Sequence, residues 1–394
     1  MASTLIGQQA VVIGAGMGGL AAAGALANHF DQVVVLERDV LPSEAAYRAG
    51  TPQARHVHAL LASGLRALSE LFPGFEQDLA LRQHCRVKEV LASPNGEAVT
   101  GVRYENGDGV TETIMADLVV DASGRGTPTL AMLKSIGGPL PAETAIGIDL
   151  GYATCVFDIP NDASTDWKGV RTLAQAPKIR RGGLMLPLEG NRWMVTIGGR
   201  QGDGPPGDAE GFLNYARSLR TQTIYNAIRQ AKRLDGVARY GFPESARRHF
   251  ERLDVFPQGL LPIGDAICRF NPVYGQGMSV AALEACLLGR LLQRLGDEGD
   301  LIASLAPTFF TEVQTLLETP WSVATLDFAF PDTRGQRPAD FETTLKFGIA
   351  LTRLAAEDPA VHKLTLEVQH LLKPRSVYRD PTLVQRVLAK MAEG

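Results

Sequence analysis

The chain has 394 residues, 45% hydrophobic and 21% charged, with a formal net charge of −4. That is long enough for two lobes sharing a substantial core and ordinary for a globular protein, and the slight acidity gives no reason to expect nucleic acid. The four cysteines (Cys85, Cys155, Cys268, Cys286) are scattered without metal-ligand spacing and read as reduced, buried thiols of a cytoplasmic protein; no signal peptide or spanning helix is expected.

Taken in chain order, the first element is the apolar strand Ala10–Ile13, which runs into Gly14-Ala15-Gly16-Met17-Gly18-Gly19. Such a turn needs Gly14 for its bend, Gly16 for backbone approach to phosphate and Gly19 for helix–strand packing, and the helix N-terminus that follows attracts a pyrophosphate. A second buried strand, Val33–Leu36, ends in Glu37, 23 positions after Gly14 and close to the roughly 20 expected for an acid that meets ribose hydroxyls. This acid fits an unphosphorylated ribose, as in NAD or FAD. Arg38 leaves two roles open, stacking on adenine or facing water.

Residues 58–72 read as a helix. Val87–Ala92, Val99–Tyr104 and Val110–Met115 read as a three-stranded meander with turns at Pro94–Gly96 and Asn106–Gly109. Leu118–Asp121 is a buried strand closed by Ala122-Ser123-Gly124-Arg125-Gly126. Ile146–Ile159 and the hairpin Gly183–Pro187/Trp193–Gly198 predict a separate antiparallel sheet, followed by a helix from about Ala209 to Ala231. Downstream, Leu261-Pro262-Ile263-Gly264-Asp265-Ala266 precedes Asn271-Pro272-Val273-Tyr274-Gly275-Gln276-Gly277-Met278. The remaining chain predicts helices over Ser279–Leu295, Leu301–Glu318 and Thr343–Leu372. The fold class is therefore α/β: a Rossmann-like nucleotide domain (1–140 and 251–300), an inserted β-rich substrate domain (141–250) and a C-terminal helical region (301–394). The two glycine motifs, one towards each end of the chain, suit the two halves of one dinucleotide, and point to a flavin rather than a loosely held nicotinamide.

On Gly14, Gly16, Gly19 and Glu37, the segment Gly50–His58, Asp121–Arg125, and Gly264-Asp265 through Met278, the chain resembles the FAD-dependent monooxygenases of the para-hydroxybenzoate hydroxylase type, nearest to bacterial epoxidase-like members. Thr319-Pro320-Trp321 fits the same subgroup. The resemblance implies FAD bound by Gly14, Gly16, Met17, Gly19, Glu37, Arg38, Asp121, Asp265, Gly275, Gln276, Gly277 and Met278. In it, Asp265 meets the ribityl hydroxyls, and the helix opened by Gly275–Gly277 faces the flavin pyrimidine ring, where its N-terminus stabilises the reduced, anionic flavin. It also implies NAD(P)H as co-substrate and transfer of one oxygen atom of dioxygen, through a flavin C4a-hydroperoxide, to an apolar small molecule, as a hydroxylation or an epoxidation.

For Asp121 the alternative is a turn whose carboxylate caps nearby amides, and for Asp265 an N-cap. Arg48 and Arg55 are open between a place near the cofactor and solvent. His56 and His58 lack a third metal ligand, so no metal is expected. Tyr274 is open between substrate, flavin and packing, and no catalytic acid or base is assigned. The resemblance implies a much longer stretch than this chain has between about Leu79 and Arg86. An edge strand of the nucleotide sheet and a wall of the active site are therefore expected to be missing, and reduced flavin would be wasted as hydrogen peroxide. The alternatives are a flavin-dependent reductase of the geranylgeranyl reductase kind and a non-catalytic flavoprotein relative. The amphipathic C-terminal helices are expected to pack on the FAD domain, with membrane-surface contact as the other reading. The sequence does not specify an oligomer.

Overall fold

Alternation of apolar side chains along the first strands decides the layering. A computed structural model describes residues 5–44, 46–72, 80–161, 163, 167–295 and 301–393. The chain begins with β1 (Gly7–Ile13), α1 (Met17–Leu26), β2 (Phe30–Leu36), α2 (Ala62–Leu71) and β3 (Ala80–Arg82). It continues through the meander β4 (Arg86–Ala92), β5 (Val99–Glu105) and β6 (Thr111–Met115), then β7 (Leu118–Asp121) and α3 (Thr127–Ser135). Further on, β13 (Leu260–Pro262) returns to the first sheet, which is wholly parallel with the order β13-β7-β1-β2-β3. Successive side chains of a strand point to opposite faces. Ala10, Val12, Val33 and Val35 thus enter the core under α1, α6 (Gly277–Leu295) and α7 (Leu301–Ala324), while Val11, Ile13, Val34 and Leu36 pack against the meander residues Val90, Val102, Tyr104 and Ile114. The result is three layers, with the parallel sheet buried on both faces as such sheets require.

The second sheet is six-stranded, in the order β14-β12-β8-β11-β10-β9. Its members are β8 (Glu143–Asp158), β9 (Val170–Thr172), β10 (Gly182–Leu188), β11 (Arg192–Gly199), β12 (Ala238–Arg248) and β14 (Cys268–Arg269). One face, with Ala153, Cys155, Val195 and Ile197, is covered by α4 (Ala209–Arg217) and α5 (Thr223–Ile228). The other face carries Ile146, Ile148, Leu150, Tyr152 and Phe242, which pack against Ala324, Phe328 and Phe341 from the C-terminal region. β14 comes from the segment just after β13, so this short stretch ties the two sheets together. The remaining helices, α8 (Phe341–Glu357), α9 (Pro359–Gln369) and α10 (Pro381–Ala392), share a small core of their own around Leu351, Leu354, Val361 and Val387.

The structure corrects several expectations. The edge strand is present: β3 pairs in parallel with β2, Val34 opposite Ala80 and Leu36 opposite Arg82. Three residues are enough, because Arg82 O also accepts from Glu37 N at 2.9 Å and continues the ladder. Leu79, from which the short stretch was counted, lies outside the described residues. The helix expected from Ala209 to Ala231 is two helices, α4 and α5, interrupted at Ser218–Gln222, where Ser218 Oγ donates to Tyr215 O and competes with the helical backbone. Thr343–Leu372 breaks at Asp358-Pro359: proline has no N–H to donate, and Asp358 caps α9 by accepting from Ala360 N and Val361 N. α7 instead runs past Glu318 to Ala324, through Pro320, because Phe309, Phe310, Val313 and Leu317 hold it in the main core. β12, β14 and α10 carried too little pattern to be read beforehand.

Candidate functional site

The parallel sheet has a topological switch at β1. The chain moves outward through β2 to β3, then crosses to β7 and later β13 on the other side. In open α/β sheets ligands bind at the carboxyl ends of the strands beside such a switch. Three loops leave the sheet there: Gly14–Gly16 after β1, Ala122–Gly126 after β7, and Ile263–Asp265 after β13.

The glycines of the first loop answer to different constraints. Gly14 has φ +99°, and a Cβ on it would lie 2.9 Å from Ala122 O. A Cβ on Gly19 would lie well inside van der Waals contact of Gly14 O. Both are needed by the protein itself. Gly16 is different: a Cβ there would meet nothing within 4 Å. Gly16 caps α1 without a side-chain hydrogen bond, and no acidic residue occupies the helix's first turn. The first turn of α1 therefore carries no acidic residue of its own and begins beside open space at Gly16, the situation that attracts an anionic ligand. Met17, the first residue of α1, is exposed beside them.

Glu37 stands at the end of β2, as its spacing predicts, and is buried. Its Oε2 accepts from Ala15 N (2.7 Å) and its Oε1 from Asp39 N (2.9 Å). Arg48 closes this corner, with Nη1 3.2 Å from Glu37 Oε2 and Nη2 donating to Ala15 O at 2.7 Å. Of Arg48's two readings the structure supports the place beside the glycine loop. Arg55, by contrast, is exposed and lies over the Tyr47 ring. Arg38 is exposed beside Asp39 and, with His84, Arg86, Glu105 and Asn106, lines a pocket of about 260 Å3 beyond the ends of β2 and β3.

Asp121 is fully buried, and its carboxylate is used within the protein. Oδ1 accepts from Ser123 N, and Oδ2 accepts from Thr129 N and Thr129 Oγ1. It is the turn-capping aspartate of the two readings. It reaches the site only by shaping Ala122–Gly126, which is held in place as Arg248 Nη1 donates to Arg125 O and Ala266 O, both at 2.8 Å.

The downstream motif meets the first at the start of two adjacent helices. Ala281 Cβ lies 3.5 Å from the Cβ position of Gly18 on α1 and 3.7 Å from that of Gly264. Asp265 is exposed at this junction, its Oδ1 3.9 Å from the Cβ position of Gly277, the first residue of α6. No described residue hydrogen-bonds its carboxylate, so the N-cap alternative does not hold. Surrounding protein pushes its carboxyl up to about 6, and Arg269 pulls it back. Because the side chain still reaches water, we take it as ionised at neutral pH. Gly275 has φ +66°, and a Cβ there would press on Ala59 at 2.9 Å. Gln276 is buried with Oε1 unpartnered, while Met278 lies in the first turn of α6.

Sequence reasoning missed the supports beneath these motifs. Asp327, fully buried, accepts from Arg200 Nη2 (2.5 Å), Asn271 Nδ2 (3.0 Å to Oδ2) and Tyr274 OH (2.7 Å). Tyr274 is thereby a packing and hydrogen-bonding residue. Burial first, and the Asp327 carboxylate second, push its phenol well above the usual range. Glu284 on α6 is fully buried and accepts from Gly264 N. Its sequence signal was a lone charge on an otherwise apolar helical face. His56 is buried against the second sheet, its Nδ1 2.7 Å from Thr154 Oγ1, which lies 2.6 Å from Thr196 Oγ1. Among the described residues no group of three His, Cys, Asp or Glu side chains could hold a metal ion, and no helix is long and apolar enough to cross a membrane.

No family model matches the chain. Protein Rv3254 of Mycobacterium tuberculosis is 31% identical over 360 residues, covering 75% of this chain and 76% of the relative. The chain belongs to the Rv3254 family. The matched stretch is longer than the part of this chain within it, so Rv3254 carries residues that this member does not have. In fold the Rv3254-family member is similar to a flavoprotein/dehydrogenase from Cytophaga hutchinsonii (TM-score 0.66, 14% identity, 98% of this chain and 100% of the other). It is also similar to the flavin-dependent brominase Bmp2 (0.64, 11%, 98% and 98%) and to the myxobacterial chondrochloren halogenase CndH, a FAD-dependent halogenase (0.59, 17%, 93% and 96%).

Proposed function

We propose that this member of the Rv3254 family is an FAD-dependent oxidoreductase that uses NAD(P)H and dioxygen to place one oxygen atom in an apolar small molecule, by hydroxylation or by the epoxidation typical of the subgroup its motifs resemble. The observation that carries this reading is the convergence on Ala281 of Gly18, just after the open glycine loop, and of the Gly264-Asp265 turn, whose carboxylate no described residue hydrogen-bonds, from stretches far apart in the chain. Solved structures of the same fold named as flavin-dependent enzymes support it.

The residues fit the cofactor. Gly16 leaves free the volume that a phosphate needs, and the first amides of α1 would bind the pyrophosphate. Glu37 Oε1 accepts only from Asp39 N and has a lone pair left for a ribose hydroxyl, while Oε2 is shared between Ala15 N and Arg48. Asp265 would accept from the ribityl chain, and the first turn of α6, from Gly277 and Met278, would face the flavin ring. FAD, when bound, supplies the electron transfer and the activation of dioxygen. The chain's own part would be to orient substrate beside the antiparallel sheet and to exclude water there. Residues 1–140 with 251–300 would hold the cofactor, 141–250 would bear most of the substrate wall, and 301–394 would brace both. Four free, buried cysteines accord with a cytoplasmic setting.

The neighbour named flavoprotein/dehydrogenase favours a second reading, a flavin-dependent reductase or dehydrogenase. An absorption spectrum of the protein with FAD, then with NADPH under nitrogen, then after air is admitted, separates the two. Bleaching by NADPH and recovery on admitting oxygen support the oxygen-using reading. Bleaching that air leaves unreversed and only an organic acceptor reverses would support the reductase.

A further inference from the structure

α6 drives Val280, Leu287, Leu288, Leu291 and Leu292 into the main core, and Glu284 stands among them with no exposed surface. Its Oε2 accepts from Gly264 N at 2.5 Å, while its Oε1 is sealed from solvent and has no hydrogen-bond partner among the described residues. No described Lys or Arg is paired with it. Asp265 on the turn acts on it, and the Cys268 thiol of β14 lies nearby; of the helices packed on α6, α1 carries no ionisable side chain, while Arg66 and Glu70 of α2 and Glu312 and Glu318 of α7 do not act on it. A carboxylate here would give up its hydration for a single amide and lie beside a second carboxylate, an arrangement that favours the neutral form. A proton on Oε1 removes the charge and its repulsion from Asp265, at the smaller cost of one unpaired O–H, and leaves Oε2 free to accept from Gly264.

We propose that Glu284 is a positioning residue held as a neutral carboxylic acid beneath the Gly264-Asp265 turn, so that the turn presents one negative charge to the cofactor, and that losing this proton weakens cofactor retention. The second half rests on the FAD reading above. Burial pushes the Glu284 carboxyl up to about 8, the Gly264 amide opposes this, and Asp265 adds to it. The folded protein therefore holds a proton that the unfolded chain has lost between the ordinary glutamate value and about 8, and stability falls as pH rises through that window. A bound pyrophosphate adds negative charge nearby and tightens the proton further, so by linkage FAD affinity falls as pH rises above about 8.

The test titrates the wild type and Glu284→Gln with FAD by fluorescence quenching from about pH 6.5 to about pH 9.5, with thermal unfolding of the FAD-free proteins at the same points. Glutamine reproduces the neutral acid without its proton. We expect the wild-type Kd to rise about tenfold or more across the range, E284Q to bind within about threefold of wild type at pH 7, and its Kd to stay flat. Parallel pH profiles for the two proteins, or a loss of about tenfold or more for folded E284Q at pH 7, would overturn the proposal. If E284Q does not fold, the infrared carbonyl band of the wild type decides. A buried carboxylic acid band at pH 7 that disappears at about pH 10 supports the neutral acid, and its absence at pH 7 refutes it. Absence of FAD binding by either protein at every pH would overturn the coupling together with the FAD reading, while the unfolding profile and the infrared band would still judge the protonation.

Discussion

Glycines in one short loop can be sorted by what a methyl group would strike. At Gly19 a Cβ would strike Gly14 O, so Gly19→Ala should destabilise the protein by about 3 kcal/mol, measured by urea unfolding. At Gly16 a Cβ would strike nothing. Gly16→Val should therefore cost the FAD-free protein only the loss of a glycine cap, about 1 kcal/mol, while raising the Kd for FAD by about tenfold or more. A Gly16→Val protein that binds FAD normally would remove the loop from the site. His56 offers a second test at this scale. Burial, with help from His58 and Arg55, pushes its imidazole down to about 4. The unfolded chain then binds the extra proton between about 6.5 and about 4, so stability rises with pH over that window. Wild type should lose about 2 kcal/mol on acidification through it, and His56→Gln should show a flatter curve.

Among the elements, the segment Asn271–Tyr274 is held by a carboxylate more than fifty residues away, on the turn after α7. Asp327→Ala would leave the Arg200 guanidinium, 6% exposed, without its anion and would release Asn271 and Tyr274. Removing one partner of a buried pair costs about 3–5 kcal/mol, which equilibrium unfolding should read directly; a loss below about 1 kcal/mol would mean that the network is not a support. This contact also shows where the sequence was legible and where it was not. β1, α1 and β2 declared themselves because strand period, glycine turn and acid spacing agree within one local stretch. The meander and the β10–β11 hairpin were legible through their turns. β3 was missed because a three-residue edge strand has no period to detect, and β12 because its exposed and buried residues alternate weakly around a bulge at Phe242–Glu244. At the candidate site, Gly14–Gly19, Glu37 and Gly264-Asp265 could be read from motif chemistry. The direction of the Asp121 carboxylate, and the parts played by Arg200, Glu284 and Asp327, depend on long-range contacts that no local spacing encodes.

At the scale of the whole molecule, the two glycine motifs acquire meaning only through α1 against α6, and the motif after β13 only through the C-terminal turn that carries Asp327. The parallel sheet supplies the loops, and α7 with its following turn links the core beneath them to the core on one face of the antiparallel sheet. A flavin dinucleotide site at the junction of α1 and α6 is the proposal on which the others depend. The most direct measurement is a titration of the purified wild-type protein with FAD, followed by flavin absorbance and fluorescence, with Gly16→Val alongside. The expected result is saturable binding of one FAD per chain that Gly16→Val weakens without unfolding. A folded wild-type protein that leaves FAD free in solution at every concentration would contradict it.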